Sequence, residues 1–175
     1  MNKSDIGRLA EDHGKYIYGF CLRLTNDTYN AEELYQDTFL KALEKASSID
    51  ENNNPRAYLA AIALSLWKSS KRKFARRAGI APTDNIDNHY DIASDVSADG
   101  DLLKKELCSY VSRAVSELDE KLRLPVLLFY TAEMSVADIA AAIKCPEGTV
   151  KSRLHSARTE IKKKMEVYEN GRQNA

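Results

Sequence analysis

No run of apolar residues in this 175-residue chain approaches the roughly 18 that a membrane-spanning helix needs. The opening MNKSDIGRLAEDHGK lacks the apolar core of a secretory signal, so a cytoplasmic protein is expected. Cysteine is scarce. Cys21, Cys108 and Cys145 stand far apart, odd in number and without CxxC spacing. That argues against both a disulfide framework and a zinc site, and leaves buried small apolar side chains as the plain reading. His13, His89 and His155 are isolated, and the chain has no glycine-rich phosphate loop and no nucleophile motif. An enzyme is therefore not expected, nor a cofactor, a metal or a small-molecule substrate. The alternation of a β-strand is missing as well.

Excess charge is also lacking overall: 26 basic and 26 acidic residues cancel. The cancellation hides strong segregation. Residues 1–54 carry a net −4, 55–79 a net +7, 80–106 a net −5, 107–150 a net −2, and 151–175 a net +4. The stretch SLWKSSKRKFARR (65–77) holds six Lys or Arg and no acid. Two basic blocks separated by an acidic one point to two places that touch a polyanion.

Apolar residues recur at helical spacing through most of the chain. Ile17, Cys21 and Leu24 share a face, with Tyr16 and Phe20 beside them. Ala31, Leu34, Tyr35, Thr38, Phe39, Ala42 and Leu43 form a second stripe, which Asn30 or Asp27 would cap. A polar loop, SSIDENNNP, precedes a third helix whose buried stripe would be Leu59, Ile62, Ala63, Leu66, Ser70 and Phe74. Residues 80–101 contain six Asp, Pro82 and Gly100 without helical period, the pattern of a flexible acidic linker. Patterning resumes at Leu102 and runs to Leu118; Pro125 is expected to break or restart the following helix. Ser135 with Asp138 forms a capping box, KCPEG a turn, and TVKSRLHSARTEIKKKM a basic amphipathic helix. The fold class is all-α. Two small helical domains, 1–80 and 106–168, flank a linker at 81–105, and a frayed tail occupies 169–175.

A short apolar helix, a turn containing Gly and a basic helix make the plan of a helix-turn-helix. Val150, Leu154, Ala157, Ile161 and Met165 would pack inward. Ser152, Ser156, Thr159 and Lys163 point away, flanked by Lys151, His155 and Arg158 on one side and Thr149 and Arg153 on the other. Such a face suits phosphates and major-groove base edges. A solvated basic helix is the bland alternative. On the first block, Ser65, Lys68 and Arg72 face outward with Tyr58, Ser69 and Arg76 nearby. That surface suits a single strand or plain solvation equally well.

NAEELYQDTFLKAL (30–43), PRAYLAAIALSLWKSSKRKFARR (55–77) and EMSVADIAAAIKCPEGTVKSRLHSAR (133–158) together resemble one family, the extracytoplasmic-function (ECF) group of bacterial sigma factors. The first resembles the polymerase-binding helix, the second the promoter −10 element, and the third the −35-reading helix-turn-helix. The resemblance implies that Glu32, Glu33, Gln36, Asp37 and Lys41 face core RNA polymerase. It implies that the loop around Asn52, Asn53, Asn54 and Arg56 captures a flipped −10 base, an extrusion that needs a receiving pocket. Tyr58 stands where the family usually has Trp. Arg72, Lys73, Arg76 and Arg77 would hold the melted backbone. Thr149, Lys151, Ser152, Arg153, His155, Ser156 and Arg158 would meet the −35 element. Ser65, Ser69 and Ser156 replace larger polar groups common in the family. Base choice at −10 is then left to the NNNPR loop, while Ser65, Lys68, Ser69 and their neighbours hold DNA chiefly by backbone charge. The family also implies an anti-sigma partner, often membrane-bound.

Fully extended, residues 81–105 span about 80 Å, or roughly 24 base pairs, enough to let two modules occupy separate promoter elements. Asp95, Ser97, Asp99, Gly100 and Glu106 also fall at calcium-loop positions. No entering helix precedes them, and a linker whose Asp99 or Asp101 caps the next helix explains them better. The alternative function is a helix-turn-helix regulator that is not a polymerase subunit, and the first domain discriminates the two.

Overall fold

In the computed structural model, residues 3–45, 54–79 and 102–173 are described. They form seven helices: α1 (Lys3–Thr25), α2 (Thr28–Glu44), α3 (Pro55–Arg77), α4 (Leu102–Ser116), α5 (Glu120–Tyr130), α6 (Val136–Ile143) and α7 (Glu147–Gln173). No strand occurs among the described residues, as the missing alternation predicts. Asn53, the calcium-loop residues Asp95 to Gly100, and all of the acidic segment before Leu102 lie outside them.

The first three helices form a bundle. α1 buries Ile17, Phe20, Cys21 and Leu24. The Thr25 hydroxyl donates to the Cys21 carbonyl at 2.9 Å and so closes the helix. Asp27 then caps α2, its Oδ1 accepting the Asn30 N–H at 2.7 Å. α2 buries Ala31, Leu34, Thr38, Phe39 and Ala42. The enclosed Thr38 hydroxyl is satisfied by the Leu34 carbonyl at 2.7 Å. α3 opens on Pro55, whose fixed φ suits a first turn.

α3 differs from its expected stripe. Leu59, Ile62 and Ala63 are buried, but Ser70 is exposed and Phe74 is 60% exposed. With 23 residues α3 is about 35 Å long, and its last two turns carry the exposed Lys73, Phe74, Arg76 and Arg77 beyond the buried part of the helix. A second stripe of Ala60, Leu64 and Trp67 leads instead to Lys71, which reaches Glu120 on α5.

In the second half Asp119 caps α5 by accepting the Lys121 N–H at 2.8 Å. Pro125 does not break this helix; it lies inside it. Leu124 to Leu128 are all buried, and that packing outweighs the helical hydrogen bond a proline cannot donate. Ser135 caps α6, accepting the Asp138 N–H at 3.1 Å while its hydroxyl donates to the Asp138 carboxylate at 2.6 Å. Lys144 ends α6 with φ 55°. α7 buries Val150, Leu154 and Ala157 and continues through Gln173, past the expected end at 168. Tyr110 of α4 stacks on Tyr168, ring centroids 4.1 Å apart.

The two halves are not held apart. α1 packs on α5, and buried residues from Leu9 to Ala157 form one continuous apolar cluster.

Candidate nucleic-acid and polymerase interfaces

The acidic face of α2 follows from its buried stripe. With Ala31, Leu34, Thr38 and Ala42 inward, Glu32, Glu33, Gln36 and Asp37 are exposed. Lys41 is exposed too, paired with Glu44 one turn on. The same outward face carries apolar residues that the sequence reading passed over. Tyr29 is 78% exposed and Leu40 59% exposed, and Leu43, expected in the buried stripe, is exposed beside them. Their signal was available, since Leu40 sits opposite the buried Ala31 and Thr38. An exposed apolar centre with an acidic rim is the make-up of a protein-docking surface.

The start of α3 is tied to the other half. Asn54, at φ 42°, caps the helix with its Oδ1 on the Ala57 N–H at 3.1 Å. Its Nδ2 donates to the Glu133 carbonyl at 2.9 Å. Arg56 pairs with the Glu133 carboxylate at 2.6 Å and lies over the Tyr16 ring, 3.8 Å from its centroid. The Tyr58 hydroxyl is enclosed without a hydrogen-bond partner rather than turned to solvent.

Further along, the cations divide. Lys68 donates to the Ala142 carbonyl at 3.4 Å, and burial pushes its ammonium pKa down. Lys71 pairs with Glu120 at 2.5 Å and sits over Trp67, 4.6 Å from its ring centroid. Trp67 is thus partly core and partly a cation platform. Ser65, Arg72, Lys73, Arg76 and Arg77 are exposed, with Ser69 half-buried between them. Arg72 and Arg76 each fold their Nε back onto the carbonyl one turn earlier, at 3.3 Å. The exposed part of the basic block is therefore its last two turns, next to Phe74.

On α7, Lys151, Ser152, His155, Ser156 and Arg158 are exposed, while Thr149 and Arg153 are half-buried. The Arg158 Nε donates to the Leu154 carbonyl at 3.1 Å, which leaves its terminal nitrogens free to form a fork. A cavity of about 660 Å³ lies between the halves. Arg158, Arg23 and Tyr16 line it with the apolar Val115, Val126 and Ile161. Arg23 is held there by the Gly19 carbonyl at 3.1 Å, its pKa lowered by burial.

Among the described residues no cluster of three or more His, Cys, Asp or Glu is placed to hold a metal. No helix among them is long and apolar enough to cross a membrane.

Residues 9–77 match the family description sigma-70 region 2, and residues 109–161 match sigma-70 region 4. The ECF RNA polymerase sigma factor SigL of Mycobacterium tuberculosis is 30% identical over 151 residues, covering 85% of this chain and 82% of the relative. SigW of Bacillus subtilis is 27% identical over 154 residues with the same coverage. Among solved structures, the sigma factor RpoE of Bartonella quintana, in complex with the anti-sigma factor NepR, superposes with a TM-score of 0.68 at 26% identity. That match covers 93% of this chain and 98% of RpoE.

Proposed function

This chain belongs to the ECF group of RNA polymerase sigma factors, and from that premise we propose a division of labour among its helices. It binds core RNA polymerase and directs promoter-specific initiation. In our reading the polymerase meets α2 through Glu32, Glu33, Gln36, Asp37 and Lys41, around Leu40 and Tyr29. Melted −10 DNA is held at Asn54 and Arg56 and along Arg72, Lys73, Arg76 and Arg77. The −35 duplex is read by Lys151, Ser152, Arg153, His155, Ser156 and Arg158.

One observation supports this most. Arg72, Lys73, Arg76 and Arg77 are exposed together in the sigma-70 region 2 match and Lys151 and Arg158 in the region 4 match, while the exposed face of α2 is largely acidic and apolar. A duplex-only helix-turn-helix regulator has no use for that α2 face. We assign 1–80 to the polymerase and −10 domain, 81–105 to the linker, 106–168 to the −35 domain, and 169–175 to a tail. The chain acts in the cytoplasm, performs no catalysis itself, and is restrained by an anti-sigma protein, as RpoE is bound by NepR.

The test is reconstitution. Purified chain mixed with sigma-free core polymerase should form a complex and initiate from a subset of a promoter library. Absence of both complex and initiation would overturn the reading.

A further inference from the structure

Among the described residues, polar contacts cross between the halves from Asn54 to the Glu133 carbonyl, Arg56 to the Glu133 carboxylate, Lys68 to the Ala142 carbonyl, and Lys71 to Glu120. The donors of these contacts belong to α3 or its cap. All the acceptors belong to the domain that carries the helix-turn-helix. We propose that the α5–α6 turn, through Glu133, is a latch that occupies the −10 capture site in cis. The free chain then presents Asn54 and Arg56 to DNA only after the second domain swings away. The proposal rests on the assignment of those two residues to −10 capture.

The latch has the chemistry of what it displaces. A carboxylate offers Arg56 the anionic, fork-shaped acceptor that a phosphate offers. The Glu133 carbonyl offers the Asn54 amide the acceptor that a base edge offers. Arg56 is engaged on both sides, its edge by Glu133 and its flat face by Tyr16. The two latch residues also share an uncommon backbone. Asn54 at φ 42° and Glu133 at φ 54° are both left-handed, a region that residues with a Cβ rarely enter. Such strain gathers where a structure switches. Lys71 with Glu120 fastens the seam further along α3. The cavity between the halves brings in Arg158, so closure draws residues from both proposed DNA sites to one seam.

The latch is weak enough to reverse. The Glu133 side chain is 62% exposed, and exposed pairs stabilise little. A DNA ligand that binds only the open form sees its affinity reduced by the open fraction. Loosening the latch must therefore tighten DNA binding, although an acidic group has been removed far along the chain from α3.

The test uses the full chain and a fluorescein-labelled single strand carrying the −10 element of a promoter recovered by the reconstituted polymerase. In anisotropy titrations Glu133→Ala should bind about threefold to tenfold tighter than the natural chain. Small-angle X-ray scattering should show its radius of gyration increase. Glu133→Gln, which keeps size and removes charge, should fall between the two and serves if the alanine variant is poorly folded. Unchanged affinity and unchanged radius in both variants would overturn the latch. Arg56→Ala, alone and combined with Glu133→Ala, separates the two ideas. Loss of binding in both backgrounds leaves the −10 assignment standing whatever Glu133 does, and retention in both removes the assignment along with the latch.

Discussion

Arg158→Ala gives the sharpest test of the −35 face. The side chain is exposed, its Nε is tied to the Leu154 carbonyl, and its terminal nitrogens are unspent. Three cations lie along the proposed reading surface of α7: Lys151 and Arg158 on one flank and the half-buried Arg153 on the other. If each neutralises one phosphate, the logarithm of duplex affinity falls with the logarithm of salt at a slope of about −2.7, since each contact contributes about 0.9. Raising salt from about 50 to 200 mM then costs the natural chain about 40-fold. With two contacts left the slope is about −1.8 and the loss about 12-fold. A base contact behaves otherwise. Losing a bidentate guanine contact costs about 1–3 kcal/mol, or about 5- to 150-fold, relaxes preference at one position, and leaves the slope alone. Anisotropy titration of a −35 duplex at four salt concentrations, with single-base variants, separates these. Arg158→Ala that changes neither affinity nor slope nor base preference would refute the assignment of α7.

The other side chains lead to equally direct tests. Asp37→Lys and Leu40→Asp should weaken core polymerase binding about tenfold in a competition assay while −35 duplex affinity holds; an equal loss in both would merge the two surfaces. Glu117 pairs with Lys164 and Arg113, and the Lys164 bond holds its carboxyl below the usual carboxylate range. A depressed carboxyl stabilises the fold above its unfolded pKa, and that stability is lost as pH falls through the folded one. Glu117→Gln should therefore cost about 0.5–1 kcal/mol at neutral pH in urea denaturation and nearly nothing well below pH 4; a pH-independent cost would remove the ion pair from the explanation. Burial pushes the Cys21 thiol up to about 12, whereas Cys108 is exposed. Iodoacetamide at pH 8 should label Cys108 in minutes and Cys21 only in denaturant, and rapid labelling of Cys21 would contradict the buried core of α1.

The helix-turn-helix was legible because its signals are local. Ser135 with Asp138, the run Val150–Leu154–Ala157 and the basic residues between them each report on one turn of chain. The residue pattern places its turn at KCPEG, but Gly148 belongs to α7 and not to the turn. The left-handed residue is Lys144, not a glycine, so composition gave no sign of it. Pro125 misled for a related reason: the rule against proline is local, whereas the buried run around it is tertiary. The docking of the halves was the least legible, because single side chains make it and no period announces them. One sign did exist. AYLAAIALSLW is apolar nearly all round, and a helix apolar all round must be covered on more than one side. Reading only one stripe there sent Ser70 and Phe74 inward and left Lys68 facing solvent, where the structure does the reverse.

α7 spans 27 residues, about 40 Å, and its two ends have different owners. The front end carries the proposed base-reading side chains. The rear end is gripped by α4: Tyr110 stacks on Tyr168 and donates to the Lys164 carbonyl at 3.1 Å, and Glu117 holds the Lys164 ammonium. α4 is also the first helix after the acidic segment that joins the halves. The arrangement is a lever whose handle is α4 and whose tip lies at Lys151 to Arg158. A pull on α4 from the chain ahead of it would reach the reading helix through those contacts.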